Sequence, residues 1–257
     1  MYDRMQKRRA HRIEWEEMKA CLQNTLLVAA AVMVGSFPMF YHHFDRLGHY
    51  IFPHFPVEKA LFRLALSQSL ILFMLAFLCC LVGFLYAGRL HLPVFRQDVN
   101  LKSFLTAGLT IGLLLTPVSY FLFDRAIMLR IPDIYPRTWY WAISNMIGTG
   151  ISQEVILRTG LFTIGVYFFR RTGIERNPWP VSVVISGFAA AASYMLLSKF
   201  QLSERLDFWK IVLAQSAVFI RQMLFCEIYL RKGLSASILF HVGMEVKLLV
   251  YVFLRVG

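Results

Sequence analysis

The sequence predicts an all-α fold, a polytopic bundle of about seven transmembrane helices. Of its 257 residues, 58% are hydrophobic and only 16% are charged, whereas soluble domains carry about 25% charged residues. Runs of about 20 apolar residues recur along the chain, each long enough to cross the ~30 Å hydrocarbon core of a bilayer. These runs are continuous and lack the two-residue alternation of membrane β-barrel strands. We therefore expect an integral, multi-pass membrane protein.

The strongly basic balance has a topological explanation. The formal net charge is +12, but Lys and Arg cluster in the short loops beside the apolar runs, which is the positive-inside pattern of membrane proteins. A nucleic-acid-binding face would also need a continuous basic surface. We therefore expect as partners membrane lipid and either other membrane protein subunits or a membrane-associated peptide, and no nucleic acid. The sequence indicates no cofactor.

Residues 1–21 form a charged N-terminal segment that precedes a single transmembrane domain at 22–257. Arg12 and Glu16 are spaced for an ion pair on one helix face, which predicts a short cytoplasmic helix at the membrane surface. This helix either docks on anionic lipid or a partner subunit, or is a solvated start that sets only the topology. The apolar run that follows is long enough to span, so we expect no cleavable signal.

Seven apolar runs are the predicted spans. They cover approximately residues 22–40, 61–87, 103–123, 138–169, 181–198, 209–229 and 234–254. The loops near 89–102, 170–176 and 231–232 are the ones rich in Arg and Lys, so we expect them in the cytoplasm. The N-terminus is then cytoplasmic and the C-terminus lies on the opposite side.

Two features inside the spans predict local geometry. Pro117 removes a backbone hydrogen-bond donor, so we expect a kink in the third span. The small residues from Gly187 to Ala192 predict a close approach of the fifth span to another helix.

The predicted loop at 41–60 combines many aromatic residues with four histidines. These are His42, His43, His49 and His54. Their spacing matches no known metal-ligand pattern and few carboxylates are nearby, so we expect no metal. An aromatic segment at headgroup depth is the favoured interpretation, and a contact surface for another protein is the alternative.

Two polar clusters lie at bilayer depth, where ionised side chains cost at least a few kcal/mol. The fourth span carries Gln153, Glu154 and Arg158, and the acid and the base are four residues apart on one helix face. The seventh span carries His241 and Glu245, also four residues apart. If these two spans pack together, both clusters meet in one pocket of low dielectric constant.

Four interpretations of this constellation are open from the residues alone. The carboxylates and the imidazole could activate a water molecule, or hold a divalent metal although the H-E-x-x-H spacing is absent. They could instead form a buried network that fixes the helix register. Its acids would be Glu154, Glu227 and Glu245, and its bases Arg158, Arg221 and Lys247. A proton relay is also possible, but the chain lacks the repeated broken helices common in transporters.

Three sequence stretches carry a family resemblance. They are QEVILRTGLF, PVSVVISGFAAAASYMLL and RKGLSASILFHVGMEV, in that order. Together they resemble the three motifs of the CAAX-protease and bacteriocin-processing (CPBP) family of glutamic-type intramembrane proteases, over roughly residues 100–257. The resemblance implies a CPBP-like helical core. In that family the first motif has two glutamates and an arginine, the middle motif is Phe-x-x-x-His, and the last has a histidine followed four residues later by Asn or Asp.

The resemblance implies a catalytic role for several positions, and at two of them this chain lacks the acid–base group of the family. The first glutamate and the middle histidine of the family activate the attacking water, whereas this chain has Gln153 and Ala192 at those positions. The second glutamate, the arginine, the middle phenylalanine and the last histidine are kept, and the Asn or Asp is replaced by a longer acid. These residues are Glu154, Arg158, Phe188, His241 and Glu245.

The two departures remove acid–base chemistry. A glutamine amide cannot accept a proton near neutral pH and an alanine offers nothing to a water, and losing one positioned acid–base group costs about 10²–10⁴ in rate. We therefore expect a catalytically inactive relative that acts as a structural or partner-binding subunit. The alternative is an active intramembrane endopeptidase, CAAX-processing-like, in which Glu154 is the base and His241 or Glu245 assists it.

Overall fold

A computed structural model describes the protein over residues 2–51, 57–94, 96, 99–131, 133, 135–172, 177–199 and 207–255. For residues 2–15, 17, 49–51, 57–59, 130, 196, 197, 199 and 255 it describes only the backbone. Helices account for nearly all of this part of the chain, as the composition predicts, and none of it forms a strand.

The helices join into seven rods within the described residues. The rods are α1 (Tyr2–Ile51); α2 (Val57–Ala87); α3 (Leu101–Ser119), a π-helical segment (Tyr120–Asp124) and α4 (Arg125–Arg130); α5 (Trp139–Glu154), a second π-helical segment (Val155–Phe162) and α6 (Thr163–Arg171); α7 (Trp179–Lys199); α8 (Phe208–Lys232); and α9 (Leu234–Met244) with α10 (Lys247–Arg255).

Five of these helical stretches are long and apolar enough to cross a membrane. They are Met18–Gly48, Ala60–Ala87, Leu101–Leu129, Phe208–Lys232 and Leu234–Leu254. The chain is therefore a multi-pass membrane protein by the length and composition of its helices. The other two rods differ, because α7 offers only a shorter apolar stretch, Trp179–Met195, and the rod at 139–171 carries charged residues at its centre. Seven spans stay a prediction.

The first helix is longer than the sequence indicated. We predicted a span at 22–40 followed by a loop at 41–60, but α1 continues without a break from Tyr2 to Ile51. It therefore also crosses the predicted boundary at residue 21. His42 is not an interfacial loop residue: it is buried and its ring packs against the Trp141 ring, with 5.0 Å between centroids. The side chains of Arg12, His49 and His54 lie outside the described residues.

Each of the two π-helical segments lies beside a recognisable local feature, a proline in the first case and a polar site in the second. In the first, Pro117 lies just upstream, and the Tyr120 N–H donates to the carbonyls of both Thr116 and Pro117. Proline lacks the N–H that would bond to the carbonyl four residues earlier, and the kink expected at Pro117 stays a prediction. The second π segment begins immediately after Glu154 and contains Arg158. Such segments are rare and occur frequently at functional sites.

Backbone contact at glycines brings α3 against α9. A Cβ on Gly108 would collide with the Phe240 carbonyl, and a Cβ on Gly243 would lie 2.8 Å from the Leu105 carbonyl oxygen. Only glycine permits this approach, which fixes the position of the helix that carries His241. The close approach predicted near Gly187 is not found there, because a Cβ on Gly187 would meet open space.

Two of the basic loops lie together at one end of the bundle. Arg96 donates a 2.5 Å hydrogen bond to the Arg231 carbonyl, and the Leu234 N–H donates to the Val94 carbonyl at 2.8 Å. Gly233 makes the tight turn between α8 and α9 with φ of +87°, a conformation that favours glycine. The two segments that the charge pattern assigns to the cytoplasm thus share one side.

Candidate functional site

The rods that carry the two polar clusters pack side by side. Helix α5 packs against α9, and Glu154, at the last position of α5, faces His241 on that helix. The Ser237 side chain lies one turn before His241 on α9, and Glu245 follows one turn after it. Three polar side chains of one helix face are thus presented toward the end of α5.

Glu154 is completely buried and both of its carboxylate oxygens are occupied. Oε1 lies 2.9 Å from Nδ1 of His241. Oε2 accepts a hydrogen bond from the Ser237 hydroxyl and lies 3.3 Å from Nε of Arg158. Because a buried charge is tolerated only when it is paired and hydrogen-bonded, this arrangement explains how a carboxylate persists at this depth.

Arg158 connects this carboxylate to α8. Its side chain is fully buried, and Nη2 donates to the Gln222 side-chain oxygen and to the Gln222 backbone carbonyl at 3.3 Å. Gln222 and Ser237 are functional partners that sequence reasoning missed. Neither residue is charged, and neither is spaced from another polar residue in a recognisable motif. Only the packing of α8 and α9 around the ion pair shows that they belong to the site.

His241 lies between two carboxylates. Its contact with Glu154 assigns the proton of a neutral ring to Nδ1, because the carboxylate can only accept. Nε2 lies 3.7 Å from Oε1 of Glu245, and within the described residues this nitrogen has no hydrogen-bond partner. The Phe225 ring stacks on the imidazole with 4.4 Å between centroids and a 21° interplanar angle. The ring is thereby held in a single orientation.

A second ion pair continues the network outward. Oε1 of Glu245 accepts from Nη1 of Arg221 at 2.8 Å, and the Arg221 side chain is 28% exposed. The polar chain therefore runs from the fully buried Glu154 through His241 and Glu245 to Arg221. Its outer end borders a cavity of about 360 Å³, whereas its inner end does not line that cavity.

A third group of polar side chains surrounds Asp124 at the end of the first π segment. The carboxylate accepts hydrogen bonds from the hydroxyls of Ser119, Tyr135 and Tyr251, and Lys247 Nζ lies 3.4 Å away. Burial, followed by the Asp124 charge, raises the pKa of Tyr135 in the 131–138 loop well above its ordinary value. Tyr135 therefore stays a hydrogen-bond donor to Asp124.

The predicted three-acid, three-base network is partly wrong. Glu154 pairs with Arg158 and Glu245 with Arg221, as that interpretation requires. Glu227 instead pairs with Arg231 through exposed side chains, because it faces outward from α8. Lys247, the third base of the predicted network, pairs with Asp124 instead.

The middle motif does not face the site. Phe188 is 64% exposed, and Ala192, one turn later on α7, is also exposed. A histidine at position 192 would therefore lie on the outer surface of the bundle. Gln153 is half-buried and precedes Glu154 on α5, where successive side chains diverge by about 100°.

The geometry gives little room for a metal. Within the part of the chain that the structure describes, no group of three or more His, Cys, Asp and Glu side chains is arranged to hold a metal ion. Around Glu154 the coordination positions are taken by Arg158 and Ser237, and a guanidinium would repel a cation.

Comparisons with known proteins leave the family open. No family model, no curated protein and no solved structure matches this chain. What the site can do must therefore be argued from its own geometry.

Proposed function

We propose that this chain is a non-catalytic, membrane-embedded structural or partner-binding subunit on a scaffold like that of the CPBP intramembrane proteases. One observation carries the proposal: Glu154 is fully buried, and both of its oxygens are engaged by His241, Ser237 and Arg158. The network fixes how α5, α8 and α9 pack. Its charges are balanced in pairs, as a register-setting core requires.

The same contacts oppose peptidase chemistry. A general base needs a water within hydrogen-bond reach, whereas Glu154 is 0% exposed and does not line the adjoining cavity. Its Oε2 is also occupied by the Arg158 guanidinium and the Ser237 hydroxyl, which leaves it less available to accept a proton from water. Position 192, where the family has its middle histidine, lies on the exposed face of α7 and contributes nothing to this site.

An active endopeptidase is the second candidate, and the Glu154–His241 contact favours it. A carboxylate 2.9 Å from an imidazole nitrogen orients the ring and leaves Nε2 as a proton acceptor, the arrangement by which a carboxylate assists a catalytic histidine. In this mechanism Nε2 of His241 would take the proton from water and Arg221 would stabilise the developing charge. Water would have to enter beside Glu245.

A cleavage assay separates the two candidates. The purified full-length protein in lipid nanodiscs is incubated with a prenylated CAAX-type peptide and, separately, with a leader-type peptide, and products are detected by mass spectrometry. We expect no cleavage above that of empty nanodiscs. Cleavage that is lost in His241→Gln but retained in Glu227→Gln, with both variants folded, would establish the peptidase instead.

Association with other membrane proteins is the second test of the subunit role. The outer surfaces of α1, α2 and α8 expose large apolar side chains such as Leu27, Ile71 and Ile220, which lipid or a partner helix can cover. Purification from native membranes after crosslinking should recover defined partners in fixed ratio. A protein that remains a lone monomer under these conditions contradicts the subunit role.

A further inference from the structure

A cavity beside the network is shaped like a binding site of its own. It lies between the rod formed by α3, the first π segment and α4 on one side and α8 on the other, and it holds about 360 Å³. Volumes of ~300–1,000 Å³ are typical of small-molecule sites. Both flanking rods include helices that are apolar enough to span a membrane, so the cavity lies at membrane depth.

The walls of the cavity are mainly apolar. They include Leu115, Val118 and Ile127 from the first rod and Ala217 and Val218 from α8. Leu115 and Val118 are about half exposed, so the cavity is open toward the surface between the two rods. An acyl chain could therefore enter laterally without crossing a polar barrier.

Two cations border the cavity at the end where α9 gives way to α10. Arg221 comes from α8 and Lys247 from the start of α10. Arg221 uses Nη1 to bind Glu245 at 2.8 Å, but its buried Nε has no hydrogen-bond partner among the described residues. Lys247 Nζ lies 3.4 Å from the Asp124 carboxylate, a long contact for an ammonium group with three donors.

The neighbouring carboxylate has little capacity to spare. Asp124 itself lines the cavity, and its carboxylate already accepts from Ser119, Tyr135 and Tyr251 in addition to Lys247. The cavity therefore borders one buried cationic donor without a partner among the described residues, Nε of Arg221, beside an ammonium held only by a long contact. Buried donors in native structures are nearly always satisfied, so the free Nε favours an added acceptor, and the charge of the guanidinium favours an anionic one.

We propose that this cavity binds an acyl chain with an anionic head group, either a carboxylate or a phosphate. The head group lies between Arg221 and Lys247, where charge-assisted hydrogen bonds are roughly twice as strong as neutral ones. The chain lies along the apolar walls formed by Leu115, Val118 and Ala217. Because Arg221 also holds Glu245, the ligand is coupled to the outer end of the polar network. The site does not depend on whether Glu154 is catalytic.

Binding of chemically matched probes tests the proposal without any mutation. The full-length protein in phosphatidylcholine nanodiscs is titrated with dodecanoate, dodecyl phosphate and dodecanol, and complexes are counted by native mass spectrometry. We expect saturable one-to-one binding of at least one anion, at least about tenfold tighter than dodecanol, since charge-assisted hydrogen bonds are about twice as strong as neutral ones. The relative affinity of dodecanoate and dodecyl phosphate identifies the head group. Equal binding of all three probes overturns the anionic site.

Two variants locate the bound probe. Ala217→Phe fills the cavity and should weaken the preferred anion at least about tenfold by steric exclusion, whereas Leu213→Phe, elsewhere on α8 and half exposed, should not. Lys247→Met should weaken the anions without affecting dodecanol, and Lys247→Arg should restore binding. Unchanged anion affinity in a folded Ala217→Phe protein overturns the assignment to this cavity even if Lys247→Met fails to fold.

Discussion

The imidazole Nδ1 of His241 lies 2.9 Å from the carboxylate Oε1 of Glu154, across the interface between α9 and α5. The two residues are 87 positions apart in the chain, and both are completely buried. Their contact ties the helix after the Gly233 turn to the end of α5, and Arg158 extends it to α8. Three helices are therefore held by one polar cluster, which makes that cluster a determinant of how the bundle packs.

Neutralising Glu154 should destabilise the protein strongly. In Glu154→Gln the Arg158 guanidinium stays fully buried without its counterion, and breaking one partner of a buried ion pair costs about 3–5 kcal/mol. The measurement is the free energy of unfolding in detergent micelles. Glu227→Gln is the matched control, because that acid is paired with Arg231 on the exposed surface and its loss should cost less than about 1 kcal/mol. Equal effects of the two changes would refute a structural role for the buried pair.

A side chain at Gly108 should separate α3 from α9. Gly108→Leu places atoms against the Phe240 carbonyl, and overpacking of this kind costs about 1–3 kcal/mol or more. The expected result is a lower midpoint of thermal unfolding in detergent. Gly187→Leu, at a position with open space around it, is the control and should leave the midpoint nearly unchanged. If Gly187→Leu lowers the midpoint more than Gly108→Leu does, the close helix contact lies near Gly187, as the sequence predicted, and the packing at Gly108 is refuted.

The Asp124 group makes an independent prediction. Asp124→Asn removes a charge that accepts from three hydroxyls and faces Lys247, and each hydrogen bond to a charged group contributes about 1.5–3 kcal/mol. We expect about 2–3 kcal/mol of lost stability by chemical unfolding. Asp207→Asn, whose carboxylate is 74% exposed, should change stability by no more than about 0.5 kcal/mol. A neutral effect at Asp124 would contradict its place in the core.

The fold class was predictable because it depends on local composition. Apolar runs, Gly and Pro positions and i,i+4 pairs can be counted along the chain, and they indicated the helices and the Glu154–Arg158 pair. The extension of α1 through residues 41–51 was missed, because aromatic side chains are typical of membrane interfaces and nothing local distinguished a helix there from a loop. The π-helical turn at Val155–Phe162 has no local sequence mark.

The partners of the site were harder to predict than its charges. Gln222 and Ser237 enter it only because α8 and α9 are antiparallel across the Gly233 turn and pack on α5. Periodicity shows which face of a helix is buried but not which helix packs against it. The sequence therefore grouped Lys247 with Glu227, whereas its partner in the structure is Asp124. The orientation of the middle motif could not be predicted for the same reason. Phe188 and Ala192 have the expected spacing, but they lie on the face of α7 that points outward.

The positions of the basic loops yield a test of topology. Arg89 and Lys232 are exposed at the end of the bundle where Arg96 reaches the Arg231 carbonyl, and Arg137 is exposed beyond the opposite end of the rod that begins at Leu101. The positive-inside rule assigns the first end to the cytoplasm. The labelling uses a Cys21→Ser background, because the remaining cysteines are buried. A membrane-impermeant maleimide should label R89C and K232C only from the cytoplasmic side of sealed vesicles. It should label R137C only from the other side.

The labelling pattern separates an error of orientation from an error of fold. If R89C and K232C react together from the outer side, the bundle is inserted the other way round and the N-terminus is not cytoplasmic, while the packing of the two basic loops stands. If they react from opposite sides, the contact between the 88–96 connector and the α8–α9 turn cannot exist. In that case α9 would lose the contact that places its first turn, and the approach of His241 to Glu154 would have to be abandoned with it.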